Sequence, residues 1–349
     1  MKPRFRDNIE AMVGYTPGEQ PQGVKLIKLN TNENPYPPSP KVMEAVRAAA
    51  AETLRLYPDP MSTALRQKAA EVYGLDVSQV LAGNGSDDLL TMLVRAFVAE
   101  GGKVATTRPT YTLYRVLAEI QGASCDEILL GEGRSLPVEA LVSSGPDLVF
   151  VANPNAPTGA PCEVDALREL ASRLECPLVI DEAYVDFSRT NALQLARELE
   201  NVVVLRTFSK SFSLAGLRVG LAFASARVIE GLVKVKDSYN LDRVAQAAAV
   251  AALRDMAWME SNAAKIRDTR ARLTEALAGL GFTVEPSESN FVLASVAEPP
   301  AAALKARLQE RGILVRYFDE DGLRDSLRIT VGTDEEIDEL LKELASILG

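Results

Sequence analysis

Between residues 80 and 224 the chain keeps returning to the same unit, a short apolar run followed by a longer stretch with helical spacing of its apolar positions. The runs are Val80-Leu81-Ala82, Lys103-Val104-Ala105, Asp147 to Val151, Leu178-Val179-Ile180 and Val202 to Leu205. Such runs read as short strands with little polar face, so helices must cover them on both sides. Helical stretches at about 86–99, 110–121 and 163–175 supply that cover, and Gly216 to Ala224 reads as a further strand. This alternation predicts an α/β fold whose large domain holds a mostly parallel central sheet.

The flanks read differently. Ser39-Pro40 offers an N-cap and a proline at the first helical position, predicting a helix over about 40–54, and Ser62 and Gly74 bracket a second. After a helical region from about 244 to 280, short runs at 283–285, 290–294, 313–316 and 326–331 combine with helices near 300–311 and 334–348. That pattern predicts a smaller α+β C-terminal domain. The expected division is an N-terminal arm over 1–35 packing with the small domain, a large domain over 36–245 and a small domain over 246–349. The Asp334-Glu335-Glu336 cluster is expected to cap the last helix and complement its dipole.

Composition narrows the chemistry. The 349 residues contain no histidine, which removes Ser-His-Asp and Cys-His catalysis and histidine-ligated zinc. Proton transfer must therefore use Lys, Asp, Glu, Tyr, Cys or a cofactor. A net charge of −10 argues against a nucleic-acid or anionic-membrane partner. Cys125, Cys162 and Cys176 are widely spaced and read as reduced thiols, with no metal cluster. The N-terminal residues lack the apolar core of a signal peptide, and Val244 to Leu253 is far short of the roughly 20 apolar residues of a membrane span. A cytoplasmic location is expected.

Three motifs sit where strands end. Gly83-Asn84-Gly85-Ser86-Asp87 lies between a strand and a helix, either a phosphate-binding turn or a plain turn capped by Ser86 or Asp87. Asp181-Glu182-Ala183-Tyr184 delivers an acid and a phenol to a strand's carboxyl end, where α/β folds gather ligands. Thr207-Phe208-Ser209-Lys210 delivers a lysine between hydroxyls, with Arg218 just downstream. A lysine in a pocket can condense with an aldehyde, and together these are the parts needed to hold pyridoxal phosphate.

At this point the chain resembles the fold-type-I pyridoxal-phosphate aminotransferases and, among them, the branch acting on histidinol phosphate. The resemblance runs through Leu29 to Tyr36, Leu56 to Pro60, Gly83 to Asp88, Asn153 to Gly159, Asp181 to Tyr184, Thr207 to Gly220 and Leu327 to Gly332. It implies that Lys210 forms the Schiff base with the cofactor and moves the proton between substrate and cofactor. Asp181 is implied to pair with the pyridinium nitrogen and Tyr184 to bond the ring oxygen. Gly85, Ser86, Thr207, Ser209 and Arg218 are implied to hold the phosphate, Tyr111 to stack on the ring, and Tyr57 to reach a partner's cofactor across a homodimer.

One position departs from the pattern. The asparagine usually found before Pro-Thr-Gly is Ala156 here, within Asn153-Pro154-Asn155-Ala156-Pro157. Asn153 or Asn155 could take its place on the ring oxygen; without a substitute amide the Schiff-base pKa should rise. For substrates, Arg328 is implied to bind the carboxylate of glutamate, and Arg316 and Tyr15 to join it around the phosphate of histidinol phosphate. Asn290 is a further candidate for that pocket. An aromatic amino-acid aminotransferase, or a decarboxylase of a phosphorylated amino acid, would use the same apparatus.

Overall fold

Strands buried on both faces organise the larger part of the molecule. The structure is a computed structural model that describes residues 3–15, 18–19 and 26–349, so part of the expected arm (1–2, 16–17 and 20–25) lies outside the described residues. The strands are β1 (Ile27–Leu29), β2 (Val80–Gly83), β3 (Lys103–Arg108), β4 (Ser124–Leu129), β5 (Leu148–Ala152), β6 (Leu178–Asp181), β7 (Val202–Thr207) and β8 (Gly220–Phe223). Four more follow: β9 (Thr283–Val284), β10 (Phe291–Ser295), β11 (Ile313–Tyr317) and β12 (Ser326–Thr330).

A seven-stranded sheet runs in the order β2-β8-β7-β6-β5-β3-β4. The pairs from β7 through β4 are parallel, and β8 is antiparallel to both its neighbours. Alternation along the strands divides the core in two. Val149, Val151, Leu178, Ile180, Val202 and Val204 pack with one set of helices, including the buried Leu167, Leu170, Ala245 and Ala249. Leu148, Phe150, Val179, Val203 and Leu205 pack with the other, including Leu89, Leu93, Leu117 and Leu232.

Register then aligns the strand ends. Ala152 lies opposite Asp181, and Asp181 opposite Leu205. The chain turns one way from β3 to β4 and the other way from β5 to β6, so the crevice at the carboxyl ends of β3 and β5 is a switch point, the usual ligand location in such sheets.

The second sheet runs β1-β11-β12-β10-β9, parallel only at β1 and β11. Here β1, three residues from the expected arm, becomes an edge strand of the small sheet. Sequence reading missed it because three residues carry no periodicity, and missed β4 because its side chains are only partly buried. The helical region splits into Arg243–Leu253 and Met256–Gly279. A division near 245 would fall inside the first of these helices, which packs on Pro40–Ala49 and Thr63–Tyr73; we propose moving it to the turn at Asp255.

Helix ends follow local chemistry. Ser39 caps the helix Pro40–Ala49 as expected, accepting from Lys41 N. Ser62, expected to cap Thr63–Tyr73, adopts a left-handed φ of 48° and makes no capping bond. Asp59 takes that role, its carboxylate accepting from Met61 N and Thr63 N at 2.9 and 2.7 Å. The last helix, Asp334–Leu348, is capped by Thr333 and Glu336 in a reciprocal box, with the acidic cluster in its first turn.

Just past the end of β6, Glu182 is fully buried and pairs with Arg206 of β7, Nη2 to Oε2 at 2.9 Å and Nε at 3.0 Å. The Arg206 guanidinium also lies over the Tyr73 ring at 4.9 Å. Glu182→Ala should therefore lower stability by about 3–5 kcal/mol, because it strands a buried cation. Urea unfolding checks this; a loss below about 1 kcal/mol, the range of exposed pairs, would show that water reaches Arg206.

Candidate active site

Asp181 ends β6 fully inside the protein. One carboxylate oxygen accepts from the Tyr114 hydroxyl at 2.9 Å and the other from Ala183 N at 3.1 Å. Burial pushes its pKa up to about 6, with these two bonds pulling the other way. Among the described residues no cation stands beside this buried carboxylate, which is poised to receive one from a ligand. Lys210 follows β7 and directs Nζ to the Thr31 carbonyl at 3.3 Å, 5.6 Å from the centre of the Tyr184 ring. Its own carbonyl, and that of Ser211, accept from Asn34 Nδ2 at 3.0 and 3.1 Å.

The turn after β2 forms an anion cradle. The helix Ser86–Phe97 starts at Gly85 with no side chain capping it, so neither Ser86 nor Asp87 acts as the cap that the plain-turn reading required. Gly85 has a φ of +82°, and a Cβ built there would stand 2.5 Å from Arg218 Nη2. Backbone amides and a guanidinium thus approach as closely as only glycine permits. Gly220 adds a second such approach, its Cβ position lying 2.7 Å from Ser86 N. Arg218 donates to Ser209 Oγ at 3.2 Å and pairs with Asp87 at 3.1 Å, while Thr207 Oγ1 donates to Ser209 Oγ at 3.0 Å.

Tyr111 follows β3 and forms an aromatic wall, edge-on to Tyr114 and Tyr15 at 5.6 and 5.7 Å. Burial pushes its hydroxyl well above the usual phenol range. The opposite wall belongs to the small sheet, where Arg316 of β11 and Arg328 of β12 are directly paired in register. Like charges placed opposite one another repel. Among the described residues neither forms an ion pair; Arg328 Nη2 donates to the Asn30 carbonyl at 3.1 Å, and its buried Nε has no partner. Both guanidiniums lie 5.3 Å from the Phe318 ring centre. Burial lowers the Arg328 pKa, and Arg316 adds to that. Two unneutralised cations in one wall form a receptor for an anion of more than one charge.

These groups line one cavity of about 330 Å³. It brings together Lys210, Asp181, Tyr184, Ser86, Tyr111, Thr207, Ser209 and Arg218 with Tyr15, Arg316 and Arg328. Five expected residues stand elsewhere. Gly85 is buried within the turn and does not itself line the cavity, and Tyr57 is 77% exposed, stacked on Tyr239 at 4.4 Å. Asn290 is buried and donates to the Asn32 carbonyl. Asn155 donates to the Pro109 carbonyl in the loop after β3 and accepts from Thr158, while Asn153 accepts from Cys162 N and its buried Nδ2 has no partner among the described residues. Ala156 itself lines the cavity.

Sequence reading missed Tyr114 and Asn32, which also line the cavity. Their signals were spacing: Tyr114 stands three residues after Tyr111 in the first turn of the helix Leu113–Gln121, and Asn30, Asn32 and Asn34 recur at every second position. The cavity fits pyridoxal phosphate: glycine-lined amides and Arg218 for the phosphate, a buried carboxylate lacking its cation for the ring nitrogen, and an amine within the same cavity for the aldehyde.

Fold and site together define a transferase of fold type I that works with pyridoxal phosphate. Residues 24–344 match the family described as aminotransferase class I and II, and the chain belongs to it. It is 46% identical to histidinol-phosphate aminotransferase 1 of Trichormus variabilis over 345 residues, covering 99% of both chains. Identity to histidinol-phosphate aminotransferase of Synechocystis sp. is 48%, covering 99% of this chain and 98% of the relative. Among solved structures, histidinol-phosphate aminotransferase of Sinorhizobium meliloti in complex with pyridoxal-5'-phosphate superposes with a TM-score of 0.91 at 28% identity, covering 99% of this chain and 97% of that one.

The raised Asp181 pKa sets a pH signature. Below 3.8 the carboxyl is protonated folded or unfolded; as pH climbs to about 6 only the unfolded chain ionises it, so its contribution to stability is lost across that window. In protein without added ligand, Asp181→Asn should remove this decline. Melting temperatures measured against pH check it, and identical profiles for the two proteins would contradict it.

Proposed function

We propose that this protein transfers the amino group of L-histidinol phosphate to 2-oxoglutarate, giving imidazole-acetol phosphate and L-glutamate, as a cytoplasmic homodimer in histidine biosynthesis. The observation that carries the substrate reading is the Arg316–Arg328 pair, set opposite one another with no carboxylate partner among the described residues. The names of the relatives support the same substrate.

When bound, pyridoxal phosphate supplies an electron sink for the pair left when Cα loses its proton. Asp181 keeps the ring nitrogen protonated, which its burial makes favourable because the pairing gives the carboxylate a counter-charge. Arg218, Ser209 and the amides at the start of the helix Ser86–Phe97 hold the phosphate. Tyr184 and Tyr111 line the cavity where they would hold the ring by its oxygen and cover it. Lys210 Nζ would be the base that takes the proton from the substrate Cα and later gives it up within the cavity.

Both substrates place an anion on the same wall. A dianionic phosphate engages both guanidiniums, while a carboxylate of glutamate requires only one. Tyr15 closes the pocket from the N-terminal side. A second copy of the chain would cover the exposed Leu54, Leu56 and Tyr57, carrying Tyr57 toward the partner's phosphate cradle.

Two measurements test this reading. Mixing cofactor-loaded protein with L-histidinol phosphate, and separately with phenylalanine, should bleach the cofactor absorbance rapidly with the first substrate only, and Lys210→Ala should show no such change. Faster bleaching by phenylalanine would move the enzyme to aromatic substrates, and release of carbon dioxide would make it a decarboxylase. Arg316→Gln should raise the histidinol phosphate KM by about 10- to 100-fold, the loss of one charge-assisted contact of about 1.5–3 kcal/mol, and affect glutamate less. Equal effects on both substrates would remove the proposed division of labour.

A further inference from the structure

Asn32 is buried where the small sheet meets the cavity, and it holds a left-handed φ of 56° that few non-glycine residues adopt. Every polar group it has is used. Its backbone N–H donates to Thr330 Oγ1 at 3.0 Å, and its carbonyl accepts from Asn290 Nδ2 at 3.0 Å. Thr330 Oγ1 donates its proton to Asn32 Oδ1 at 3.1 Å, and Asn32 Nδ2 donates to the Tyr184 hydroxyl oxygen at 2.9 Å. These bonds orient the amide. With the Thr330 hydroxyl accepting from Asn32 N and giving its proton to Oδ1, the NH₂ group is the one placed against Tyr184.

The direction of that last bond has a consequence for the pocket. Tyr184 accepts from Asn32, so its own proton is left for something else, and among the described residues no acceptor takes it. The ring cannot swing freely, since it stands edge-on to Phe291 at 5.1 Å. Meanwhile Ala156 offers no donor, Asn155 spends its NH₂ group on the Pro109 carbonyl, and neither Asn153 nor Asn155 lines the cavity.

We infer that Asn32 is a positioning residue for transamination: it fixes Tyr184 as a hydrogen-bond donor into the cavity and so replaces, through the phenol, the amide that position 156 lacks. This inference rests on the pyridoxal-phosphate reading above. It also gives Asn290 a role, since Asn290 and Thr330 hold Asn32 in place without lining the cavity themselves. An accepted bond makes the Tyr184 proton a stronger donor. A donor on the cofactor's ring oxygen competes with the proton shared between that oxygen and Lys210 Nζ, so losing the donor raises the pH at which that proton leaves.

The test is a pH titration of the visible absorbance of the cofactor-loaded protein in a set of variants. Asn32→Gly suits the left-handed backbone and keeps the two backbone bonds, N–H to Thr330 Oγ1 and carbonyl from Asn290 Nδ2, losing only those of the side chain, so it preserves the fold. It should raise the titration midpoint by about half a unit or more, a change of about threefold in the proton equilibrium. Tyr184→Phe should raise it as well, and adding Asn32→Gly to Tyr184→Phe should raise it no further. Ala156→Asn placed in the Asn32→Gly protein should bring the midpoint back toward wild type, a rescue that a merely structural role would not give. An unchanged midpoint in Asn32→Gly, or equal shifts with and without the Tyr184 hydroxyl, overturns the inference while leaving the aminotransferase reading intact. A wild-type protein that develops no cofactor absorbance overturns both.

Discussion

The register of β5, β6 and β7 is the constraint from which the site follows. These strands are parallel and buried on both faces, so a slip of one residue would exchange the two hydrophobic faces that the flanking helices have packed. With the register held, the sheet releases Asp181, Glu182 and the segment after Thr207 side by side. The Glu182–Arg206 pair clamps two of these exits beneath the cavity. Asp181 can then be kept buried with only two hydrogen bonds, at an energetic disadvantage that a bound cation reverses.

The second determinant is the segment from Leu29 to Asn34, which stitches the two sheets together. Its first residue ends β1 in the small sheet, and its asparagines reach in different directions. Asn30 presents a carbonyl to Arg328, Asn32 an amide to Tyr184, and Asn34 an amide to the carbonyls of Lys210 and Ser211. The paired arginines on the small sheet and Lys210 on the large one are thereby set against each other by one short segment. A link of this kind makes the separation of the two walls a property of the fold, the condition under which orientation could aid catalysis.

Charge is distributed with the same economy. The chain is acidic overall, yet its cavity wall carries Arg316, Arg328 and Arg218. Only Arg218 has a carboxylate beside it among the described residues, and that is Asp87 at the phosphate turn. Arg328 instead lies against the Phe291 and Phe318 rings, at 5.2 and 5.3 Å, which stabilise a cation without neutralising it. Although the cavity lining also carries Glu33, Asp87, Asp181 and Glu320, the two guanidiniums of the small-sheet wall have no carboxylate partner among the described residues.

Periodicity and turn chemistry made much of this legible beforehand. The buried runs gave most of the large sheet, and the motifs at strand ends gave Lys210, Asp181, Tyr184 and Arg218, because strand ends in such sheets converge on one crevice. The absence of histidine directed attention to lysine and a cofactor. Other features were decided only by tertiary structure, since they depend on pairings between residues far apart in the chain. Ser62 lost its capping role to Asp59, β1 became a strand only by pairing with β11, and Arg316 became a site residue only by lying opposite Arg328. Asn32 illustrates the limit most clearly. Its type and alternation are plain in the sequence, but which way its amide points is fixed by Thr330, 298 residues away, and no local pattern encodes a bond of that span.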